Sequence, residues 1–424
     1  MTTSSTPHQA TVEDRGPRAF AWYTTLGTDG RQAFKGAFLG FSLDSYDFWV
    51  LPLSLVAIAA TFGLSTGETG LLATATLVCS AIGGVIAGVL ADRIGRATTL
   101  MITVVTYAVF TALCGLAPNY ETLLIFRALQ GIGFGGEWAA GAVLVAEYAA
   151  ARHRGRALAV IQSSWAVGWG LAVIVYTLVF ELVDQDLAWR VLFWTGALPA
   201  LLAIWVRRNV TDAPVHTERR RRAGHAPLLG IFGDGLGRTT FFATLLATGV
   251  QGGYYTLATW VPTYLKDERG LTVIGTGGYL AFLITGAFAG YLTGGYFTDR
   301  IGRKATFAVF AVLSGSLIVL YTQLPADANT YVMFLGFPLG FCSSAIFSGF
   351  GAYLAELYPG HIRGSGQGFT YNVGRGIGAF FPAIIGYLAT TYSVGGAMAF
   401  GALAYGLAVI ALLGLPETRA RDLS

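Results

Sequence analysis

The sequence predicts an all-α integral membrane protein with twelve transmembrane helices, arranged as two six-helix repeats. Three observations carry this. Of 424 residues, 54% are hydrophobic and only 12% charged, apolar runs of span length fill nearly the whole chain, and a charged loop motif occurs twice, half a chain apart. Soluble domains carry roughly 25% charged residues. A hydrocarbon core takes about 20 apolar residues per helix, so the chain has room for about a dozen spans and little soluble structure. A cytosolic enzyme, a nucleic-acid binder and a secreted disulfide scaffold are excluded, and the net charge of +4 calls for no acidic partner.

Residues 1–33 are polar and lack a signal-peptide core, which predicts a cytoplasmic N-terminal tail. Apolar runs broken by Gly, Pro and charge place spans near 34–60, 69–91, 98–117, 121–147, 157–180 and 189–206, a six-helix bundle over 34–206. Residues 207–238, with the run Arg219 to Arg222, read as a cytoplasmic linker contacting lipid headgroups. The second bundle, 239–415, has spans near 240–264, 277–298, 305–324, 330–355, 366–391 and 395–415, and 416–424 form a C-terminal tail. With both termini inside, all of the 27 Lys and Arg except Arg127, Arg190, Lys266, Arg269 and Arg375 fall on the cytoplasmic side, as the positive-inside rule asks. The expected location is a bacterial cytoplasmic membrane, crossed many times.

Cys79, Cys114 and Cys342 lie inside apolar runs without metal-ligand spacing. None of the three lysines follows a phosphate-loop glycine, so no nucleotide energises the protein and no cofactor is expected. An ion gradient is left as the energy source. His8, His153, His216, His225 and His361 all lie outside the spans, which argues against a histidine proton relay.

The repeat is explicit. Gly88-Val-Leu-Ala-Asp-Arg-Ile-Gly-Arg96 follows the second span, and Gly295-Tyr-Phe-Thr-Asp-Arg-Ile-Gly-Arg-Lys304 follows the eighth. Glu147 with Arg154 is echoed by Glu356 with Arg363 at the same internal spacing. Two parallel repeats with a site between them make the arrangement that alternating access requires, and with both in one chain a monomer suffices.

These loops, together with Arg127-Ala-Leu-Gln-Gly-Ile-Gly133 and the ending Pro416-Glu417-Thr418, resemble the major facilitator superfamily over nearly the whole chain. Asp44-Ser-Tyr-Asp-Phe48, Gly133-Phe-Gly-Gly-Glu-Trp138 and Gln162-Ser-Ser-Trp165 look like its sialate:proton and metabolite:proton symporter branches. That resemblance implies proton-coupled import of a small organic acid such as sialic acid, lactate or an aromatic acid, with protons, the acid and the lipid bilayer as the partners. Other readings fit the same residues: a sugar or polyol porter, an organic-anion exporter of the same fold, and a non-transporting membrane sensor.

Asp92, Arg93, Arg96, Glu147 and Arg154 in the first half, and Asp299, Arg300, Arg303, Glu356 and Arg363 in the second, share one membrane level and are expected to pair as a cytoplasmic gate. The alternative is that they orient helices and satisfy helix ends.

An ionisable group in mid-membrane costs about 2.5–3.5 kcal/mol on insertion scales, which makes each one a functional candidate. Here they are Asp44, Asp47, Arg127, Glu137 and Arg375. Asp44 and Asp47 are three apart, on one face of the first span. Related porters pair a first-span Asp with an Arg at the Arg127 position, which suggests a proton site, the alternative being a static buried ion pair. Glu137 is placed with that site. Fully ionised, the five carry one surplus negative charge, so a bound proton fits. Arg375, beside Asn372, suits a carboxylate through its planar fork, or else neutralises a carboxylate of the other half. Gln162, Trp165, Gln251, Tyr254 and Tyr255 complete the expected substrate set with hydrogen bonds and apolar faces.

Overall fold

A computed structural model describes Tyr23 and residues 27–135, 154–200, 228–233, 235–360 and 362–419. The first half comprises α1 (Thr28–Phe62), α2 (Thr66–Ile94), α3 (Arg96–Cys114), α4 (Tyr120–Phe134), α5 (Arg154–Leu182) and α6 (Gln185–Thr195). A 3₁₀ turn at Leu228–Phe232 precedes α7 (Leu236–Thr263), which runs on into a π-helical turn at Tyr264–Glu268. Then come α8 (Val273–Ile301), α9 (Arg303–Gln323), α10 (Asn329–Glu356), α11 (Arg363–Gly378), α12 (Phe381–Leu388), α13 (Val394–Ala399) and α14 (Gly401–Leu413).

Most expected spans match these helices, with three differences. The eleventh span is two helices, α11 and α12, because Pro382 cannot donate to the preceding turn. The twelfth is likewise split into α13 and α14, at Phe400, whose amide and carbonyl close tight i to i+3 turns on Ala397 and Leu403. Helix α7 begins inside the stretch expected to be linker, and Thr240 Oγ1 ties it to the Ile231 carbonyl (2.7 Å). Residues 207–227 and 234 of that linker, 136–147 of the fourth expected span and 201–206 of the sixth lie outside the described residues.

Local chemistry sets the helix starts. The Ser65 amide and hydroxyl both donate to the Glu68 carboxylate (2.8 and 2.7 Å), and the Glu68 amide donates back to Ser65 Oγ (3.3 Å), a capping box for α2. Asn119 caps α4 by accepting from the Thr122 amide, and Thr272 caps α8 by accepting from Gly275. The duplicated loops also share a backbone: Gly95 has φ 97° and ψ 157°, Gly302 φ 100° and ψ 161°. Only glycine adopts this region without strain.

The repeat extends to packing. A Cβ at Gly83, Gly131 or Gly135 would lie 2.0, 2.2 or 1.8 Å from a backbone oxygen of the partner helix along the α2–α4 seam. Gly286, Gly290 and Gly294 do the same on α10, at 2.0, 2.3 and 2.3 Å. Close backbone approach of this kind replaces the hydrophobic driving force that lipid removes. Large apolar side chains such as Leu182, Leu403 and Leu413 point outward, and seven described helices are long and apolar enough to cross a membrane.

The halves meet along α2 against α11 and α12, and along α5 against α8. These contacts concentrate at the end opposite the duplicated loops. There a Cβ at Gly386 would sit 2.4 Å from the Thr66 carbonyl, and one at Gly70 2.6 Å from that of Pro382, with the Trp260 ring against both. The Ala383 amide donates to Thr74 Oγ1 (3.1 Å) and Trp260 Nε1 to the Pro382 carbonyl (3.1 Å). Toward the duplicated loops, a Cβ at Gly88, Gly364 or Gly368 meets nothing within 4 Å among the described residues. Gly386→Leu should therefore prop the far end open, at a cost of about 1–3 kcal/mol to the closed form. A Thr74→Cys thiol, buried at this seam, should react with a membrane-impermeant maleimide faster in the Gly386→Leu background; equal rates would contradict the seam's role in closure.

Candidate transport site

Between the halves lies a cavity of about 40 Å³, lined by Phe41 and Phe48 of α1, Phe134 of α4, Gln162 and Trp165 of α5, Tyr254 and Tyr255 of α7, Tyr291 of α8, Phe347 of α10, and Tyr371 and Arg375 of α11. One water needs roughly 10–15 Å³ by this measure, so the cavity has room for a few waters and must widen to take an organic solute. Among the described residues, Arg375 is the one charged group in its lining. The guanidinium is 6% exposed and lies over the rings of Phe134 (5.6 Å) and Tyr371 (5.4 Å). Its Nε donates to the Tyr255 hydroxyl (3.3 Å), which donates to Gln251 Oε1 (3.1 Å), and Gln251 Nε2 donates to the Tyr371 carbonyl (3.1 Å). This chain fixes the fork with its face on aromatic rings, the arrangement suited to a planar anion.

Trp165 Nε1 donates to the Tyr254 hydroxyl (2.7 Å), a hydrogen bond from one half to the other at the cavity wall. The Ser45 hydroxyl holds the Trp165 carbonyl (2.5 Å). Gln162, Trp165, Tyr254, Tyr255 and Arg375 are thus brought together. Gln251 stands behind them as a support. Asn372 is elsewhere: its Nδ2 donates to the Gly368 carbonyl (2.9 Å), and its Oδ1 lies 2.4 Å from where a Gly84 Cβ would be, at the α2–α11 seam.

The two α1 carboxylates part company. Asp47, fully buried, accepts hydrogen bonds from Thr111 of α3 and Gln130 of α4. Beside it Arg127 supplies the opposite charge, its guanidinium 5.9 Å from the Phe193 ring, with Nε and Nη1 unpartnered among the described residues. This cluster is sealed inside the first half. Asp44, also buried, interacts electrostatically with Arg375 of the second half. Glu137 lies outside the described residues.

Of the expected gate, Glu147 and the side chains of Asp92, Arg96 and Arg154 lie outside the described residues, and Arg93 is exposed. The second-half members form a cluster of their own. Arg303 bridges Asp299 (2.6 Å) and Glu356 (2.9 Å), while Arg300 bonds Tyr296 and lies over its ring. Glu356 therefore pairs with Arg303 rather than Arg363, whose Nε has no partner among the described residues. Asp299 is 76% exposed, so its pair adds little, whereas the Arg303–Glu356 side chains are 13% and 9% exposed.

Glu417 and Thr418 complete this cluster and were visible only as part of the C-terminal motif. Glu417 accepts from the amides of Arg303 and Lys304 (both 3.0 Å), Thr418 (3.0 Å) and Arg419 (2.9 Å), and so caps α9 where Gly302 has no side chain to do it. Thr418 Oγ1 donates to Glu356 (2.5 Å). Burial alone would raise the Glu417 carboxyl; the four amides outweigh it and hold the group below its ordinary value. A depressed carboxyl stabilises the fold above its unfolded value and loses that contribution as pH falls through the folded one.

The chain belongs to the major facilitator superfamily, whose model matches residues 37–294 and 278–424. It is accordingly a multi-pass membrane transporter, not an enzyme. It is 39% identical to a probable 4-methylmuconolactone transporter of Cupriavidus pinatubonensis, over 94% of both chains. A cis,cis-muconate transport protein of Acinetobacter baylyi is 32% identical over 91% of this chain and 94% of that one, and the sialic acid transporter NanX of Escherichia coli 26% identical over 93% and 96%. A crystal structure of a D-xylose-proton symporter superposes with a TM-score of 0.72 at 20% identity, covering 93% of this chain and 99% of that one, and shares the fold.

Two tests follow from these clusters. Asp47→Leu leaves Arg127 buried without its counter-charge and should cost about 3–5 kcal/mol, much of it recovered in the double variant with Arg127→Met; thermal unfolding of both checks this, and equal melting of Asp47→Leu and wild type would contradict it. Acidification through and below the ordinary glutamate range should release the C-terminal tail to proteolysis as Glu417, held below that range, takes up a proton, and Glu417→Gln should release it already at neutral pH.

Proposed function

We propose that the protein is a proton-coupled importer of a small organic carboxylate with a flat, unsaturated skeleton. The observation that carries this is Arg375: a fixed guanidinium, the only charge among the described residues that line the cavity, set among aromatic rings at the junction of the two halves. An arginine fork binds a carboxylate, and the faces of Phe48, Phe134, Trp165 and Tyr371 suit a conjugated plane better than a polyol ringed by hydroxyls. The named solutes of the muconolactone and muconate relatives are unsaturated organic compounds. They support this choice over the sialic acid of NanX.

Proton coupling is supported by Asp44, a buried first-half carboxylate that interacts with Arg375 of the second half, so that its protonation changes with the charge placed near it; Asp47 stays paired with Arg127 inside the first half. Orientation rests on the positive-inside distribution, with both termini and the duplicated loops in the cytoplasm. The far-end seam then closes the outer side, so substrate released from the cavity leaves inward. The Arg303–Glu356–Thr418 cluster stiffens the second half, and the gate proper would join it to its first-half counterpart when the inner side closes. One chain holds both repeats and acts as a monomer.

Uptake of labelled cis,cis-muconate, nicotinate, lactate, sialic acid and xylose into cells expressing the protein, with external pH recorded, tests the reading. The unsaturated acids should enter with alkalinisation outside. Arg375→Gln should raise KM about ten- to hundredfold, from the ~1.5–3 kcal/mol of a hydrogen bond to a charged group. Uptake of xylose alone, or carboxylate uptake indifferent to Arg375→Gln, would overturn it.

A further inference from the structure

Phe41, Asp44 and Phe48 follow one another at spacings of three and four and so share a face of α1. Phe41 and Phe48 line the cavity, and Asp44 between them is 2% exposed. Phe48 stacks on Phe134 (5.9 Å), the ring over which Arg375 lies, and meets Tyr255 (6.3 Å), the residue that accepts from Arg375 Nε. A carboxylate of the first half and the guanidinium of the second thus share one set of neighbours, and their charges act on each other across the halves. Asp47 faces away, toward Thr111 and Gln130.

We propose that Asp44 is a resident stand-in for the substrate: its carboxylate compensates Arg375 in the empty carrier, and the substrate's carboxylate displaces it there. This deepens the carboxylate-import reading and rests on it. A displaced carboxylate cannot stay ionised in a closed, aromatic cavity without a counter-charge, so Asp44 takes a proton from the water on the side where substrate enters. The balance is exact in charge. Empty, the site holds Asp44⁻ and Arg375⁺; loaded with a monocarboxylate, it holds a neutral Asp44, Arg375⁺ and the substrate anion. Both forms are neutral, so neither moves net charge at this site when the halves reorient. On the far side the substrate leaves, the Asp44 O–H proton passes to water, and the carboxylate returns to Arg375.

Among the described residues, the titratable and charged groups round this site are Arg375 and Tyr371 from α11, Tyr254 and Tyr255 from α7, Tyr291 from α8 and Asp47 on α1 itself, with Arg127 beyond it on α4. From α5 the cavity receives Gln162 and Trp165, which do not titrate. Tyrosine hydroxyls ordinarily titrate near pH 10, far from the carboxylate range.

The test uses the full chain in lipid nanodiscs, with nicotinate and cis,cis-muconate as probes and a pH dye in weak buffer. Wild type should take up about one proton per nicotinate bound, its Kd rising up to about tenfold per pH unit above the Asp44 titration. Asp44→Asn should bind without proton uptake, with a Kd independent of pH and tighter than wild type at alkaline pH. Asp44→Glu should restore the pH dependence, and Asp47→Asn should keep it. Proton uptake in Asp44→Asn equal to wild type overturns the proposal, as does loss of binding in Asp44→Asn with Asp44→Glu intact. If Asp44→Asn does not fold, wild type decides: nicotinate binding with no proton uptake and a flat Kd overturns it. Binding of xylose but of neither acid by wild type would instead remove the carboxylate reading beneath it.

Discussion

A guanidinium in mid-membrane must be compensated, and the two that this chain carries there are compensated in opposite ways. Arg127 lies inside the first bundle beside Asp47, which Thr111 and Gln130 hold in place. That pair is internal to one rigid body, so rocking of the halves leaves it intact. Arg375 is held by aromatic faces and the Tyr255 hydroxyl of its own half, and its nearest described counter-charge, Asp44, belongs to the other half. On the proposed carboxylate-import reading, the compensation of Arg375 changes whenever the halves move or a ligand enters, and transport depends on that change.

The scaffold round this pair is built twice. The duplicated loops turn on glycines with nearly the same backbone angles, and glycine seams join α2 to α4 and α8 to α10. Each bundle is closely packed within, and the halves meet chiefly at the α2–α11, α2–α12, α5–α8 and α1–α7 contacts. The site does not follow the repeat: Asp44 and Asp47 belong to the first half and Arg375 to the second.

Much of this was legible in the sequence. Span count and repeat follow from composition and spacing, and Arg375 stood out because charge is rare in apolar runs. The division between Asp44 and Asp47 was not legible. Residues three apart on a helix differ by only about 60° in direction, and which one turns inward is decided by Thr111 and Gln130, brought beside α1 only by folding. The aromatic wall was hidden for another reason: with 13% aromatic residues, Phe41, Phe48, Phe134, Tyr291, Phe347 and Tyr371 carry no individual signal. Asn372 was placed with the site by its nearness to Arg375 in sequence, yet Gly84, lacking a side chain, lets α2 approach close enough to cover it. The gate residues were legible as a set, but which of them pair was not, because the partner of Glu356, Arg303 at the start of α9, is brought to it only by folding.

The central claim is that the loaded site is electrically neutral, with one carboxylate and one proton crossing together. Its most direct test is accumulation of nicotinate by proteoliposomes in which the pH difference and the membrane potential are imposed separately. A pH difference, acidic outside, should drive uptake with the potential clamped at zero, and a potential alone should drive none. Accumulation driven by the potential at equal pH would contradict the account.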